Sequence, residues 1–461
     1  MLLAVCCLVV LPLSNTASAD DTPPPSTIVS LTFDDGFASQ WTARQLLLNY
    51  HTHGTFYVPS GMVGLTGRLT SQQLQAIQAD GNEIGGHTVN HVNLPTVDGA
   101  EQARQICDDR VALSRFGLDV SSFAYPYDAY SAQTEQIAKN CGYNSARAEA
   151  GLFANGACAS CSYSESTPPA DPYALRTATP VVTDTRLSAI EQQVSDARSH
   201  GGGWVPLVFH EVCDACSTMA IAPHDLEGLL SWLQSQAGQG VVVQSVNQVI
   251  GGAHRPLVSG PVDPRPDGQL VNPSLEDLGQ GGTSTCWQRA GYGDNSATWS
   301  RVPDAHSGST AEQVTIRSFV SGDLKLVTRQ DSGSCSPAVR PGETYTLSAW
   351  YKSTIPTRMV AFYRSANGAW KYWTESGKAG PAATWELLSW RTPPIPDGAT
   401  RLSFGLQATN VGSLTIDDFG MNLTRPASSS TYPVGIAAGV AAVVVPALGL
   451  IGWARIRRTR T

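Results

Sequence analysis

The sequence predicts three successive parts: an α/β domain of barrel-like build, an all-β sandwich and one C-terminal transmembrane helix. Three observations carry this reading. Over residues 27–251, apolar strand-like runs alternate with amphipathic helical stretches. Over 270–424, short alternating strands and turn signals follow one another without a long helical pattern. Residues 433–453 carry no charge and are followed by Arg455, Arg457, Arg458 and Arg460. A chain of 461 residues is also too long for one ordinary hydrophobic core.

At the start, residues 1–19 (MLLAVCCLVVLPLSNTASA) read as a secretory signal, with Ala17-Ser18-Ala19 before the cleavage point. It departs from the usual pattern in having no Lys or Arg ahead of the apolar run. The helix at 433–453 is long enough to span a bilayer, and the basic tail at 454–461 should stay cytoplasmic. The expected localisation is therefore export, with the body outside and anchored at the cell surface. A net charge of −8 argues against nucleic acid as a partner, and nothing indicates a protein partner. Outside the signal stand eight cysteines: Cys107, Cys141, Cys158, Cys161, Cys213, Cys216, Cys286 and Cys335. An even number in an exported chain points to disulfides. Cys286 with Cys335 is the expected C-terminal pair; CASC (158–161) and CDAC (213–216) bridge within or between themselves.

In the first domain the expected strands are IVSLTF (28–33), TFYV (55–58), SFAY (122–125), VPLVF (205–209) and VVVQSV (241–246). LTSQQLQAIQADG (69–81) and HDLEGLLSWLQSQ (224–236) have helical periodicity. This alternation implies a largely parallel sheet. Residues 252–269 have the Pro and Gly punctuation of a linker.

The chemistry sits at strand ends. The run IVSLTFDDGF ends in adjacent carboxylates, Asp34 and Asp35. Burying an unpaired carboxylate costs several kcal/mol, on the order of a domain's whole stability, so a positive group is expected there. GNEIGGHTVNH (81–91) supplies His87 and His91, four residues apart, which one helical turn would place on one side. One aspartate and two histidines make an open divalent-metal site with room for water. One carboxylate then ligates and its neighbour takes a proton, which accounts for the pair. FAYPYD (123–128) and PLVFHE (206–211) bring a turn and His210 to the same face.

With TFDDG (32–36), HTVNH (87–91), LVFH (207–210), GTFYVPSG (54–61) and GNEIGGH (81–87), residues 28–250 resemble the polysaccharide deacetylase family, also called the NodB-homology domain or carbohydrate esterase family 4. The resemblance implies a distorted (β/α) barrel around a divalent metal, most often Zn2+. It implies Asp35, His87 and His91 as ligands, Asp34 as catalytic base, His210 as catalytic acid and the Tyr127 N–H as an oxyanion donor. The family's third motif normally begins with Arg, as R-x-P-Y; here Ala124-Tyr125-Pro126-Tyr127 stands in its place, and Arg147 is the candidate substitute. The D-x-x-D-W motif is not found. The implied activity is removal of N-acetyl groups from an acetylated polysaccharide of chitin or peptidoglycan type. An O-acetyl esterase acting on xylan-type glycan is the alternative, and a non-catalytic glycan-binding adhesin is an alternative of another class.

Residues 270–424 resemble carbohydrate-binding jelly-roll modules, on LVNPSLEDLGQGG (270–282), PGETYTLSAWYKS (341–353), ATWELLSW (383–390) and GSLTIDDFGMNL (412–423). Seven of the eleven tryptophans fall in this region. Trp370, Tyr372 and Trp373 are the candidate sugar-stacking residues, with strand alternation putting Trp370 and Tyr372 on one face and Trp373 on the other. Most of the tryptophans are expected in the core. The resemblance also implies a structural Ca2+, for which Glu276 and Asp417 are candidates.

Overall fold

The computed structural model describes residues 27–153 and 158–425. The signal at 1–19, the apolar stretch at 433–453 and the tail at 454–461 lie outside the described residues.

The first strand, β1 (Thr27–Phe33), is rich in β-branched residues and almost wholly buried, as a strand covered on both faces must be. The chain then alternates through α1 (Gln40–Asn49), β2 (Thr55–Val58), α2 (Ser71–Ala79), β3 (Glu83–Gly86), α3 (Gly99–Arg115) and β4 (Val120–Ala124). It continues with α4 (Ala132–Asn140), β5 (Ser145–Gly151), β6 (Leu175–Thr177), α5 (Leu187–Ser199) and β7 (Gly203–Phe209). Two short strands, β8 (Glu211–Val212) and β9 (Ala220–Ile221), precede α6 (Pro223–Gln236), β10 (Val241–Val243) and α7 (Val246–Ile250).

The parallel sheet runs β10-β1-β2-β3-β4-β5-β6, with β7 paired to the other side of β1 in a seven-residue register from Thr27↔Gly203 to Phe33↔Phe209. Hydrogen bonds from Ala178 N to Pro206 O and from Val181 N to Val208 O bring the chain after β6 alongside β7. The sheet thus curls into a half-barrel with helices outside. Phe33 stacks on Phe56 and Phe209 at 4.8 and 5.3 Å, filling the barrel just below its mouth. The expected strand VVVQSV splits: only Val241–Val243 pair, because Ser245 caps α7 through a capping box with Gln248.

The second part holds β11 (Trp287–Tyr292), β12 (Asn295–Val302), β13 (Ala311–Phe319), β14 (Asp323–Thr328) and β15 (Thr344–Ser353). It is completed by β16 (Thr357–Ser365), β17 (Trp370–Glu375), β18 (Ala382–Arg391), β19 (Ala399–Ala408) and β20 (Gly412–Arg425). Two five-stranded antiparallel sheets, β11-β14-β19-β16-β17 and β12-β13-β20-β15-β18, enclose a second core around Trp287, Leu347, Phe404 and Ile416. The expected sandwich is present.

The stretch at 252–269 is irregular, as its prolines and glycines require, yet it lies along α3. Arg110 donates to Arg255 O and Pro256 O, Gly260 N donates to Asp108, and Arg104 donates to Pro261 O. The sandwich docks on the same helix: Glu101 accepts from Ser332 N, Gln105 Nε2 donates to Ser332 Oγ, and Arg104 Nη2 donates to Ser334 Oγ. Four disulfides form: Cys107–Cys141, Cys158–Cys161, Cys213–Cys216 and Cys286–Cys335. Both C-x-x-C motifs bridge internally.

One expectation is corrected. Among the described residues no helix is long and apolar enough to cross a membrane. The longest, α3, has 17 residues, which at about 1.5 Å each fall short of a ~30 Å hydrocarbon core. It is also polar over much of its length. The transmembrane helix and surface anchoring expected from residues 433–453 therefore have no counterpart among the described residues.

Candidate active site and metal centre

Asp34 leaves β1 with its N–H still bonded to Phe209 O at 2.9 Å. Asp35 and Gly36 then enter the left-handed region, at φ 75° and 62°. That reversal makes consecutive carboxylates diverge: Asp34 turns inward to Arg147, and Asp35 turns across the mouth to His87 and His91.

Nε2 of His91 and of His87 lie 2.9 and 3.4 Å from Asp35 Oδ1. One ligand atom from each of the three residues falls within 4.8 Å of the others. His87 Nδ1 stands 2.8 Å from Ala124 O, a carbonyl that can only accept, so Nδ1 carries a proton and Nε2 is the atom turned to Asp35; burial works against the charged ring, but Asp35 and Asp34 push its pKa up. Asp35 Oδ1 is buried and receives no hydrogen bond. Burial works against its ionisation, but the two imidazoles outweigh burial and hold the carboxyl well below the usual range. His91 is pushed down, burial being the main cause, and so favours the neutral form a ligand needs. One carboxylate oxygen and two imidazole nitrogens converging on one point fit a cation, which would displace the protons between them.

The two histidines do not share a helical turn. Residues 87–93 form a loop, with Thr88 and His91 at φ 64° and 54°. The helix α3 holds this loop from behind: Asp109 accepts from His87 N and Ser60 N, both at 2.9 Å, while Gln105 accepts from Val89 N and Asn90 N. Burial pushes the Asp109 carboxyl up to about 7, against these hydrogen bonds. Gly86 is required just before the loop, since a Cβ there would lie 2.2 Å from Tyr143 Oη and 2.6 Å from Asp109 Oδ2.

On the inner side, Arg147 Nη2 donates to both oxygens of Asp34, and neither side chain reaches solvent. Arg147 lies on β5, its guanidinium 4.8 Å from the Tyr57 ring. Burial raises the Asp34 pKa, but Arg147, helped by His87 and His210, brings the net shift downward. Gln40, on α1, donates Nε2 to both Asp34 O and His210 O and thereby ties the ends of β1 and β7 together. Tyr127, at φ 60°, leans an exposed ring on His91 at 4.6 Å. The arrangement thus brings Asp34, Asp35, His87, His91, Tyr127, Arg147 and His210 to one mouth.

Sequence reasoning missed Glu149. Its Oε1 lies 3.9 Å from His210 Nε2, and it groups with Asp34 and His210. Its position two residues after Arg147 on the same strand was the available signal, since i and i+2 share a face. Burial, then the Asp34 charge, push Glu149 up to about 7. Folding therefore favours its neutral form: that contribution is complete below the unfolded value of about 4.3 and is lost as pH rises through 7. Glu149→Gln should leave the melting temperature unchanged near pH 5 and raise it relative to the parent above pH 8. Equal melting curves at both pH values would contradict the shift.

In the sandwich, Tyr372 is exposed and meets Phe362 edge-on at 5.9 Å, whereas Trp373 packs against the core. Trp370 is half-buried. Glu276 is engaged by Ser309 N, Ser309 Oγ and Thr310 N, and Asp417 by His306 N, Ser307 N and Asp418 N. Neither belongs to a cluster of convergent ligand atoms among the described residues.

Residues 21–146 match the family described as polysaccharide deacetylase. The match spans Asp34, Asp35, His87, His91 and Tyr127; Arg147 and His210 lie beyond it. Over 125 residues the chain is 26% identical to YxkH of Bacillus subtilis, covering 27% of this chain and 45% of that protein. It is 25% identical to the peptidoglycan-N-acetylglucosamine deacetylase of Bacillus cereus, covering 27% and 57%. The chain thus spans about half the length of the curated relatives it matches. A solved likeness is the Streptococcus pyogenes deacetylase PplD in complex with acetate, at 23% identity and a TM-score of 0.31, over 36% of this chain and 69% of that one. The sequence matches thus make the stretch 21–146 similar to the polysaccharide deacetylase family, and that stretch supplies Asp34, Asp35, His87, His91 and Tyr127 at the mouth of the half-barrel.

Proposed function

We propose that this chain is a metal-dependent hydrolase that removes N-acetyl groups from an extracellular or cell-wall polysaccharide containing N-acetylglucosamine. The observation that supports it is the divergence of Asp34 and Asp35: one carboxylate faces two imidazole nitrogens while its neighbour is kept ionised by a buried arginine. Asp35, His87 and His91 would hold the metal, which supplies Lewis-acid polarisation of the acetyl oxygen and acidifies water when bound. Asp34, anionic at neutral pH, takes the proton of the attacking water. Arg147 holds that carboxylate in place, and ionised until the proton arrives. The Tyr127 backbone N–H would donate toward the developing oxyanion; the ring of that residue lies against His91 at the rim. His210 passes a proton to the departing nitrogen, without which the C–N bond does not break, and Glu149 Oε1 stands 3.9 Å from its Nε2.

Acetate release tests this directly. The chain should release acetate from N-acetylated chitooligosaccharide faster than from acetylated xylan, and chelation should abolish release until divalent metal is restored. Faster release from xylan would favour the esterase reading. No release from either, with metal bound, would overturn the hydrolase reading.

A further inference from the structure

The active-site mouth is not closed off by the deacetylase domain alone. A groove of about 590 Å³ starts at His91 and Tyr127 and runs over Asn93 and Thr96 to Gln288, Arg329 and Gln330 of the sandwich. Its far wall is built rigidly. The Cys286–Cys335 disulfide, Arg329 N to Cys286 O at 2.8 Å and Gln330 N to Gln288 Oε1 at 2.9 Å join the end of β14 to the start of β11. The docking of Ser332 and Ser334 on α3, with Asn90 Nδ2 donating to Gly368 O, sets this wall against the histidine loop.

Arg329 is the unusual member. It is half-buried on the groove, and among the described residues its guanidinium makes no hydrogen bond and no ion pair. The two carboxylates nearby do not serve it. Glu101 is occupied by Ser332 N, Gln105 and Arg104, and Asp331 by the N–H groups of Gly333, Cys335 and Ser336. The Gln330 side chain is likewise without a partner among the described residues. A planar cation left open beside an amide, in a cleft continuous with a hydrolytic site, suits a carboxylate on a sugar chain.

We infer that the sandwich supplies a substrate subsite in which Arg329 binds the carboxylate of an acidic sugar next to the N-acetyl sugar being processed. This rests on the deacetylase reading and narrows its substrate to glycans that alternate N-acetylglucosamine with a carboxylate-bearing sugar. One charge-assisted hydrogen bond of about 1.4 kcal/mol corresponds to a tenfold change in binding.

The test compares a tetrasaccharide alternating N-acetylglucosamine and N-acetylmuramic acid with N-acetylchitotetraose, using the full chain. The parent should show the lower KM for the acidic tetrasaccharide. Arg329→Ala should raise that KM about tenfold and the KM for chitotetraose no more than about twofold, with Arg329→Lys intermediate. Equilibrium binding of both tetrasaccharides by calorimetry should show the same tenfold loss. The calorimetric result separates the two readings: if no acetate is released but Arg329→Ala still weakens binding of the acidic glycan, the subsite stands and the hydrolase reading falls. Equal KM and equal binding for parent and Arg329→Ala on the acidic tetrasaccharide would overturn the subsite. Arg329 has no side-chain partner to lose among the described residues, so the variant should melt with the parent.

Discussion

Asp34→Asn should lower turnover on N-acetylated glycan by a factor on the order of 10² to 10⁴, the usual contribution of a positioned general base, while metal content stays at the parent level. The expectation follows from the split of roles at the end of β1. Asp35, His87 and His91 are untouched by the substitution, so the three convergent donors remain. The introduced amide oxygen can still accept one hydrogen bond from Arg147, but it cannot take a proton from water. Stability should fall as well, since a buried guanidinium loses its counter-charge. Kinetics, elemental analysis and a melting curve on one preparation separate these effects. Full turnover in Asp34→Asn would remove Asp34 from the role of base.

Arg147→Met should destabilise the fold by about 3–5 kcal/mol, because removing one partner of a buried ion pair leaves the other uncompensated. The sign of its pH dependence is also set. With Arg147 present the Asp34 pKa is depressed, so its stabilising contribution exists above the unfolded value of about 3.9 and disappears as pH falls through the folded value. Without Arg147, burial is opposed only by His87 and His210 and the Asp34 pKa rises, so the variant lacks much of the stabilisation that the parent gains as pH climbs above about 4. The stability gap between parent and variant should therefore widen from pH 3 to pH 7 in denaturant titrations. The acid limb of any residual activity should move to higher pH. A gap that stays constant across that range would mean that Arg147 acts by packing alone.

Arg147 was legible before any coordinates because it is the one cation in a strand-like step next to a motif that lacks its usual arginine. The strand ends were legible for a related reason: an apolar run that stops at a charge has few physical explanations. The histidine pair was read with the right proximity and the wrong backbone. Spacing of four suggested a helical turn, whereas left-handed residues and hydrogen bonds from α3 produce the same convergence. What periodicity concealed was α3 itself. Glu101, Gln105 and Asp109, at successive intervals of four, look like a solvated face, and only the tertiary structure reveals that this face is buried and fully bonded. Likewise the Pro and Gly content of 252–269 correctly indicated irregular backbone but gave no hint that it is fastened to that helix.

Because one polar ridge grips the imidazole loop at Asp109 and the second module at Glu101, the two cannot be loosened independently. A substitution that unseats α3 should therefore loosen the histidine loop and the docked β-rich module together.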